Sequence, residues 1–216
     1  MHDSSAAIIP YLKSCKDSFV LISTGTWCIS LNPFNQIQLT DEDLKQDCLC
    51  YLSYDGKQIK ASRLFAGYEH EQGVKTIASQ FNKNENFYKG MRYDDSFFIK
   101  AKEKHLKNFA EQDLKSFDSC EEAYHALMID IIQKQVVSTN LVLHNSPVEK
   151  IFVDGGFSTN EIYMQMLANN YGDTEIYAAV IPQATALGAA IILHKHWNAN
   201  ILSGDLIKLK QFVKSA

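Results

Sequence analysis

Val153-Asp-Gly-Gly-Phe-Ser-Thr-Asn160 joins a β-like run to a helix start through two adjacent glycines. Glycine reaches left-handed backbone angles and leaves peptide N–H groups uncovered. A helix N-terminus adds positive potential, so a nucleotide can lie against the backbone here. A tight turn that only packs would read the same. The run is not a P-loop, because no G-x-x-x-x-G-K-[ST] occurs in the chain. In Ser23-Thr-Gly-Thr26, hydroxyls and turn N–H groups can ring a phosphate, although an ordinary hairpin turn also accounts for the pattern. His2-Asp-Ser-Ser-Ala-Ala7 places Asp3 before small residues that can open a helix running to Lys13. That carboxylate can cap the helix, or it can take a proton from a hydroxyl during phosphoryl transfer; patterning does not separate the two. In Phe65-Ala-Gly-Tyr-Glu-His-Glu71, Gly67 can admit a flat ligand against the backbone. Glu69, His70 and Glu71 read as a solvated helix start, since neighbours in sequence do not share a helix face. There is no HExxH and no nucleophile elbow.

The elements that must hold these residues change character along the chain. The first half reads as hairpins. Phe19–Ser23 and Thr26–Leu31 flank Thr24-Gly25, and Cys48–Tyr54 and Gln58–Phe65 flank Asp55-Gly56. Gly67 opens a helix to Phe81. From Asn82 to Phe117 the periodicity is weak, with one helix expected over Ser96–Glu111. The second half alternates. Asp118-x-x-Glu121 and Ser119-x-x-Glu122 both fit a capping box before a long helix carrying Tyr124, Leu127, Met128, Ile131 and Ile132. Strand Lys150–Asp154, a helix capped by Ser158-x-x-Glu161, strand Glu175–Ile181 stopped by Pro182, and an Ala-rich helix Gln183–Trp197 follow. Hairpins followed by α-β-α-β-α predict an α/β fold, a mixed sheet with helices on both faces.

Composition sets the outer bounds. A chain of 216 residues is expected to be a single domain, residues 1–216. With 46% apolar and 21% charged residues it is not disordered. A net charge of -4 argues against nucleic acid. The uninterrupted apolar runs are too short to span a bilayer, so no membrane is expected. Five cysteines without a CxxC pair predict reduced, buried thiols in a cytoplasmic protein.

Taken in order, the motifs resemble the C-terminal half of the FGGY carbohydrate kinases. The matching pieces are His2-Asp-Ser-Ser-Ala-Ala7, Ser23-Thr-Gly-Thr-Trp27, Leu64-Phe-Ala-Gly67, Val153-Asp-Gly-Gly-Phe-Ser-Thr-Asn160 and Gln183-Ala-Thr-Ala-Leu-Gly-Ala-Ala190. The His-Asp start and the Thr-Gly-Thr-Trp run are most similar to the rhamnulokinase- and fuculokinase-like branch. The resemblance implies an actin-like ATPase (ribonuclease H-like) domain, one lobe of a two-lobed ATP-dependent kinase that phosphorylates a carbohydrate, a ketose or deoxy-ketose. It implies Asp3 as the base that deprotonates the sugar hydroxyl. It implies Thr24, Gly25 and Thr26 at the ATP phosphates, Gly67 beside the nucleotide, and Gly155, Gly156 and Asn160 against the adenosine. Thr185 and Gly188 fall on a closing helix with a packing role. No metal ligand is assigned in this chain; the absent N-terminal lobe would supply the second phosphate loop, most sugar contacts and the acids near Mg²⁺. That lobe, the sugar and ATP are the expected partners, with a homodimer also considered, and a lone lobe should not turn over sugar. Residues Asn82–Phe117 lack the Gly- and Pro-containing segment of many members, which leaves the sugar-side wall open. The alternatives are a non-catalytic actin-like nucleotide- or partner-binding module, and another enzyme of the superfamily such as an N-acetylhexosamine kinase.

Overall fold

The computed structural model describes residues 3–104, 108–179, 184–200 and 206–215. In chain order its helices are α1 (Asp3–Ala7), α2 (Ile9–Ser14), α3 (Asp41–Lys45), α4 (Ala66–Gln80), α5 (Asp95–Lys104), α6 (Cys120–Leu143), α7 (Glu161–Asn170) and α8 (Ala184–Trp197). The strands are β1 (Phe19–Thr24), β2 (Cys28–Asn32), β3 (Cys48–Leu52), β4 (Gln58–Leu64), β5 (Lys150–Gly155), β6 (Glu175–Ala179) and β7 (Leu209–Phe212). They form one seven-stranded sheet in the order β3-β4-β2-β1-β5-β6-β7. β1, β5 and β6 run parallel, with β1 opposite β5 from Phe19↔Lys150 to Thr24↔Gly155; the other pairings are antiparallel.

Strand alternation builds two cores from one sheet. Val20, Ile22, Cys28, Ile151 and Val153 join the cluster formed with α4, α6 and α7. Phe19, Leu21, Ile29, Leu31 and Phe152 join the cluster formed with Ala7, Ile8 and Tyr11. Successive side chains leave a strand on opposite faces, so a run such as Phe19–Ile22 can be apolar throughout only if both faces are covered. The expected mixed sheet with helices on both faces is therefore present.

Several elements differ from the sequence reading, each for a local reason. The N-terminal helix is broken at Ile8 because Pro10 has no N–H to give the Ala6 carbonyl, so α2 starts afresh with proline in its first turn. The Asp55-Gly56 hairpin uses a three-residue loop closed by Ser53 N–H donating to the Lys57 carbonyl, with Gly56 at φ +80°. α5 ends at Lys104 and a 3-10 turn covers Phe109–Glu111; residues 105–107 of the expected helix lie outside the described residues. At the start of α6 the two overlapping capping boxes merge. Ser119 Oγ accepts from Glu122 N–H, while the Glu122 carboxylate accepts from Asp118 N–H. The Ser158 box is not used: Gly156–Thr159 form a 3-10 turn and Asn160 caps α7. Ile181, Pro182 and Gln183, the expected end of one strand and start of a helix, lie outside the described residues. α3, with its Thr40/Asp43 capping box, and edge strand β7 had no reading in the sequence. α6 is long and apolar enough to cross a membrane by length and composition, but 61% of its most apolar stretch is buried inside this fold. Cys28, Cys48 and Cys120 are buried free thiols as expected; Cys50 is exposed, and Cys15 is partly so.

Candidate active site

The Thr24-Gly25-Thr26 hairpin is docked onto the first turn of α4. Helix starts leave N–H groups without intrahelical partners, and Tyr68 N–H donates to the Thr26 carbonyl at 3.2 Å. Gly67 makes that approach feasible. A β-carbon there would sit 1.8 Å from the Gly25 carbonyl oxygen and 3.0 Å from the Thr26 α-carbon.

The second glycine turn abuts the same hairpin. Gly155 has φ +77°, and a β-carbon on it would lie 1.8 Å from the Thr24 carbonyl oxygen. Thr24 is itself buried. Its hydroxyl donates to the Asp154 carbonyl and accepts from Phe157 N–H at 2.9 Å. The Thr24 hydroxyl thus ties β1 to the turn after β5. A β-carbon added to Gly156 would have nothing within 4 Å and would face open space.

Asn160 holds the helix that follows. Its Oδ1 accepts from Tyr163 N–H at 3.1 Å, and its Nδ2 donates to the Tyr124 hydroxyl at 2.6 Å. The Tyr124 hydroxyl lies 2.8 Å from His70 Nε2. The phenol oxygen accepts from Asn160 and shares a further hydrogen bond with Nε2, whose direction follows the imidazole tautomer. Burial pushes the His70 pKa down to about 4, so the ring is neutral. Edge-on contacts from Tyr88 and Phe157 hold the ring. His70 is thus not part of a solvated helix start. Glu69 pairs with Lys134 at 2.6 Å and Glu71 with Lys75 at 2.5 Å, while His70 turns inward. The spacing His70, Val74, Ile77 was the signal that could have placed it on the packed face.

These parts line two cavities. One, of about 680 Å³, is bounded by Gly25, Gly67, His70, Tyr88, Gly156 and Asn160. The other, of about 460 Å³, is bounded by Asp3, Ser4, Gly25, Thr26, Arg63 and Thr185, with Thr24 and Trp27 also on its wall. Gly25 belongs to both. Gly155 lines neither and acts through the turn it makes. Asp3, in the first turn of α1, is exposed on the second cavity, and its carbonyl accepts from the Thr185 hydroxyl at 3.5 Å. Gly188 lets α8 close over α1: a β-carbon there would meet the Ala6 carbonyl oxygen at 1.9 Å. That is the carbonyl Pro10 leaves without a helical donor. The expected packing role of Gly188 is thereby met.

Among the described residues, none of the segment from Asn82 to Phe117 lines the Asp3 cavity. Tyr88 to Arg92 instead line the larger one, a contribution the weak periodicity of that stretch concealed. Trp27 and Arg63 on the Asp3 side were also missed. They form a cation–π pair at 5.3 Å, and Arg63 is fixed by a 2.6 Å ion pair to Asp47. Beneath the hairpin, Asp154 is buried. Burial pushes its carboxyl up to about 6, against the opposing pull of the nearby Ser23 hydroxyl, Thr24 N–H and Tyr11 hydroxyl. Its Oδ2 has no hydrogen-bond partner among the described residues.

A mixed sheet covered on both faces, with glycine turns at the carboxyl ends of β1 and β5, agrees with the actin-like ATPase domain that the resemblance implied. The family profile "Carbohydrate kinase FGGY, C-terminal domain" matches residues 16–200. The chain belongs to that family of carbohydrate kinases. No curated protein matches it by sequence. Among solved structures it is similar to a carbohydrate kinase from Novosphingobium aromaticivorans, with 15% identity and TM-score 0.66 over 99% of this chain and 48% of that one. It is similar to a ligand-bound xylulose kinase from Lactobacillus acidophilus, with 12% identity and TM-score 0.68 over 97% and 45%. It is also similar to a glycerol kinase with ADP from Plasmodium falciparum, with 15% identity and TM-score 0.55 over 91% and 42%. The chain spans less than half the length of each of these three structures.

Proposed function

We propose that the chain is the nucleotide-binding lobe of a sugar kinase that moves the γ-phosphoryl group of ATP to a carbohydrate hydroxyl. The observation that carries this reading is Gly25, the hairpin residue shared by the glycine-lined cavity and the Asp3 cavity. Adenosine lies against Gly67, Gly156 and Asn160, and the phosphate chain runs toward the Gly25-Thr26 turn. The acceptor hydroxyl meets it from the Asp3 side. Asp3 takes the hydroxyl proton, the oxygen bonds to the γ-phosphorus, and the bond to ADP breaks. Such transfers depend on positioning and charge stabilisation more than on covalent chemistry, which suits a site made of backbone turns and one carboxylate.

Mg²⁺ comes with the nucleotide in this reading. The described residues hold no cluster of three His, Cys, Asp or Glu side chains that could bind a metal ion. An N-terminal lobe closes the cleft and completes the sugar site. The resemblance to xylulose kinases supports a ketose or deoxy-ketose acceptor, and the free cysteines support a reducing, cytoplasmic setting.

The test is a calorimetric titration of ATP with Mg²⁺ into the chain, beside Asn160→Ala and Asn160→Asp. Saturable binding that weakens in the alanine variant supports an adenosine site at Asn160. Absence of binding at millimolar ATP, both alone and with a matching N-terminal lobe added, would overturn it.

A further inference from the structure

The large cavity has one wall of glycine and another of a very different kind. Tyr88, Lys89, Gly90, Met91 and Arg92 form that second wall. The loop is held in place from within. Tyr88 stacks on Tyr124 with ring centroids 5.4 Å apart and meets His70 edge-on at 4.9 Å. Lys89 N–H donates to the Asn86 carbonyl at 2.9 Å, and Met91 N–H to the Tyr88 carbonyl at 3.0 Å. Gly90, at φ +89°, turns the chain between the two cations. The loop is therefore anchored to the Tyr124–His70–Asn160 network and carries its charges on the cavity side.

Among the described residues those charges have no ion-pair partners. Lys45, Lys57, Lys60, Arg63, Lys75, Lys104, Lys134 and Lys150 make ion pairs with acids; surface lysines such as Lys13, Lys83 and Lys100 do not, and what sets Lys89 and Arg92 apart is their place on the cavity lining. Lys89 and Arg92 make none with any described residue, although the chain carries an excess of acids, 25 against 21 bases. Glu161 lines the same cavity and joins neither of them in an ion pair. The glycines on the same lining, Gly25, Gly67 and Gly156, offer no side-chain charge to the phosphate chain that passes Gly25. Among the described residues on this lining, the cations are those of the 88–92 loop.

We propose that Lys89 and Arg92 bind the phosphate chain of the nucleotide, so that the 88–92 loop selects nucleoside polyphosphates over nucleosides. The inference rests on the nucleotide reading above and adds the residues that recognise its charge. Charge-assisted contacts of this kind are about twice as strong as neutral ones, and Arg can engage phosphate through two N–H groups at once. The loop lies outside the sheet, between α4 and α5.

The experiment titrates ATP and adenosine separately into the 216-residue chain and into Lys89→Met, Arg92→Met and the double variant, at two salt concentrations. Met keeps the length and apolar stem of each side chain. Both residues are exposed, so the variants should fold, and equal melting temperatures would show it. The expected result is ATP binding weakened about 10-fold or more in the double variant, with adenosine binding unchanged. Salt should weaken ATP binding to the wild type and have little effect on the double variant. ATP affinity unchanged in the double variant overturns the proposal and leaves the nucleotide reading standing. ATP and adenosine weakened equally also overturns it, because the loop is then only a wall. A wild type that binds neither ligand, alone or with a matching N-terminal lobe, overturns both readings.

Discussion

Gly67 and Gly25 are in backbone contact: a β-carbon on Gly67 would stand 1.8 Å from the Gly25 carbonyl oxygen. Through that contact the first turn of α4 sets the height of the hairpin that both cavities share. Gly67→Ala must push the hairpin away. The expected cost is roughly 1–3 kcal/mol, read as a lower urea midpoint, together with loss of ATP binding. Gly156→Ala is the contrast. Nothing lies within 4 Å of the added carbon and φ is not positive, so stability should change by less than about 0.5 kcal/mol while ATP binding weakens. Equal destabilisation by both variants would refute this division of roles.

Asn160 does two jobs, and substitutions can separate them. Asn160→Ala removes the α7 cap and the hydrogen bond to Tyr124, at an expected cost of about 1–3 kcal/mol. Asn160→Asp keeps a capping oxygen and lets the Tyr124 hydroxyl donate to it. Thermal melts should place the aspartate variant much closer to wild type. A nucleotide defect that persists in the aspartate variant reports on ligand contact and not on folding.

His70 is neutral in the folded state, with burial holding its pKa down to about 4 from an ordinary value of 6.5. A depressed histidine contributes stability above its unfolded pKa, and that stability is lost as pH falls through the folded value. The His70 contribution to the unfolding free energy should therefore decline as pH falls from about 6.5 to 4. Burial shifts His125 the same way, so His70→Gln should reduce the slope without abolishing it. A slope identical to wild type would contradict the burial of a neutral His70.

Asp154 has the opposite sign. Burial raises its pKa from 3.8 to about 6. The stability it contributes is complete below about pH 3.8 and is lost as pH rises toward 6, where the buried carboxyl ionises. Asp154→Asn carries no charge. The stability of the asparagine variant relative to wild type should rise across that window and level off above it. Denaturant melts at about pH 3.5, 5 and 7 would check this, and a difference independent of pH would sink it.

Much of the architecture was readable from local pattern. The two-faced apolar run Phe19–Ile22 could be satisfied only by a sheet covered on both sides, and the capping boxes with the helical spacing of Tyr124, Leu127, Met128, Ile131 and Ile132 marked the start of α6. Gly67, Gly155 and Gly188 stood out as places where backbone must approach something, because no other residue permits it. What they approach is a property of the folded chain. Gly25, Thr24 and Ala6 lie far away in sequence or on other elements, and nothing local names them. The same holds for the inward turn of His70, fixed by a hydroxyl on α6, and for the 88–92 loop, whose irregular sequence carries no periodic signal. Its place on the cavity wall is set by Tyr88 packing against Tyr124, on a helix that begins well beyond the loop. Periodicity and backbone permission are local quantities, and the sequence records them directly. Which hydroxyl meets which ring, and which cations are left without acids, depend on long-range packing that exists only once the sheet has closed.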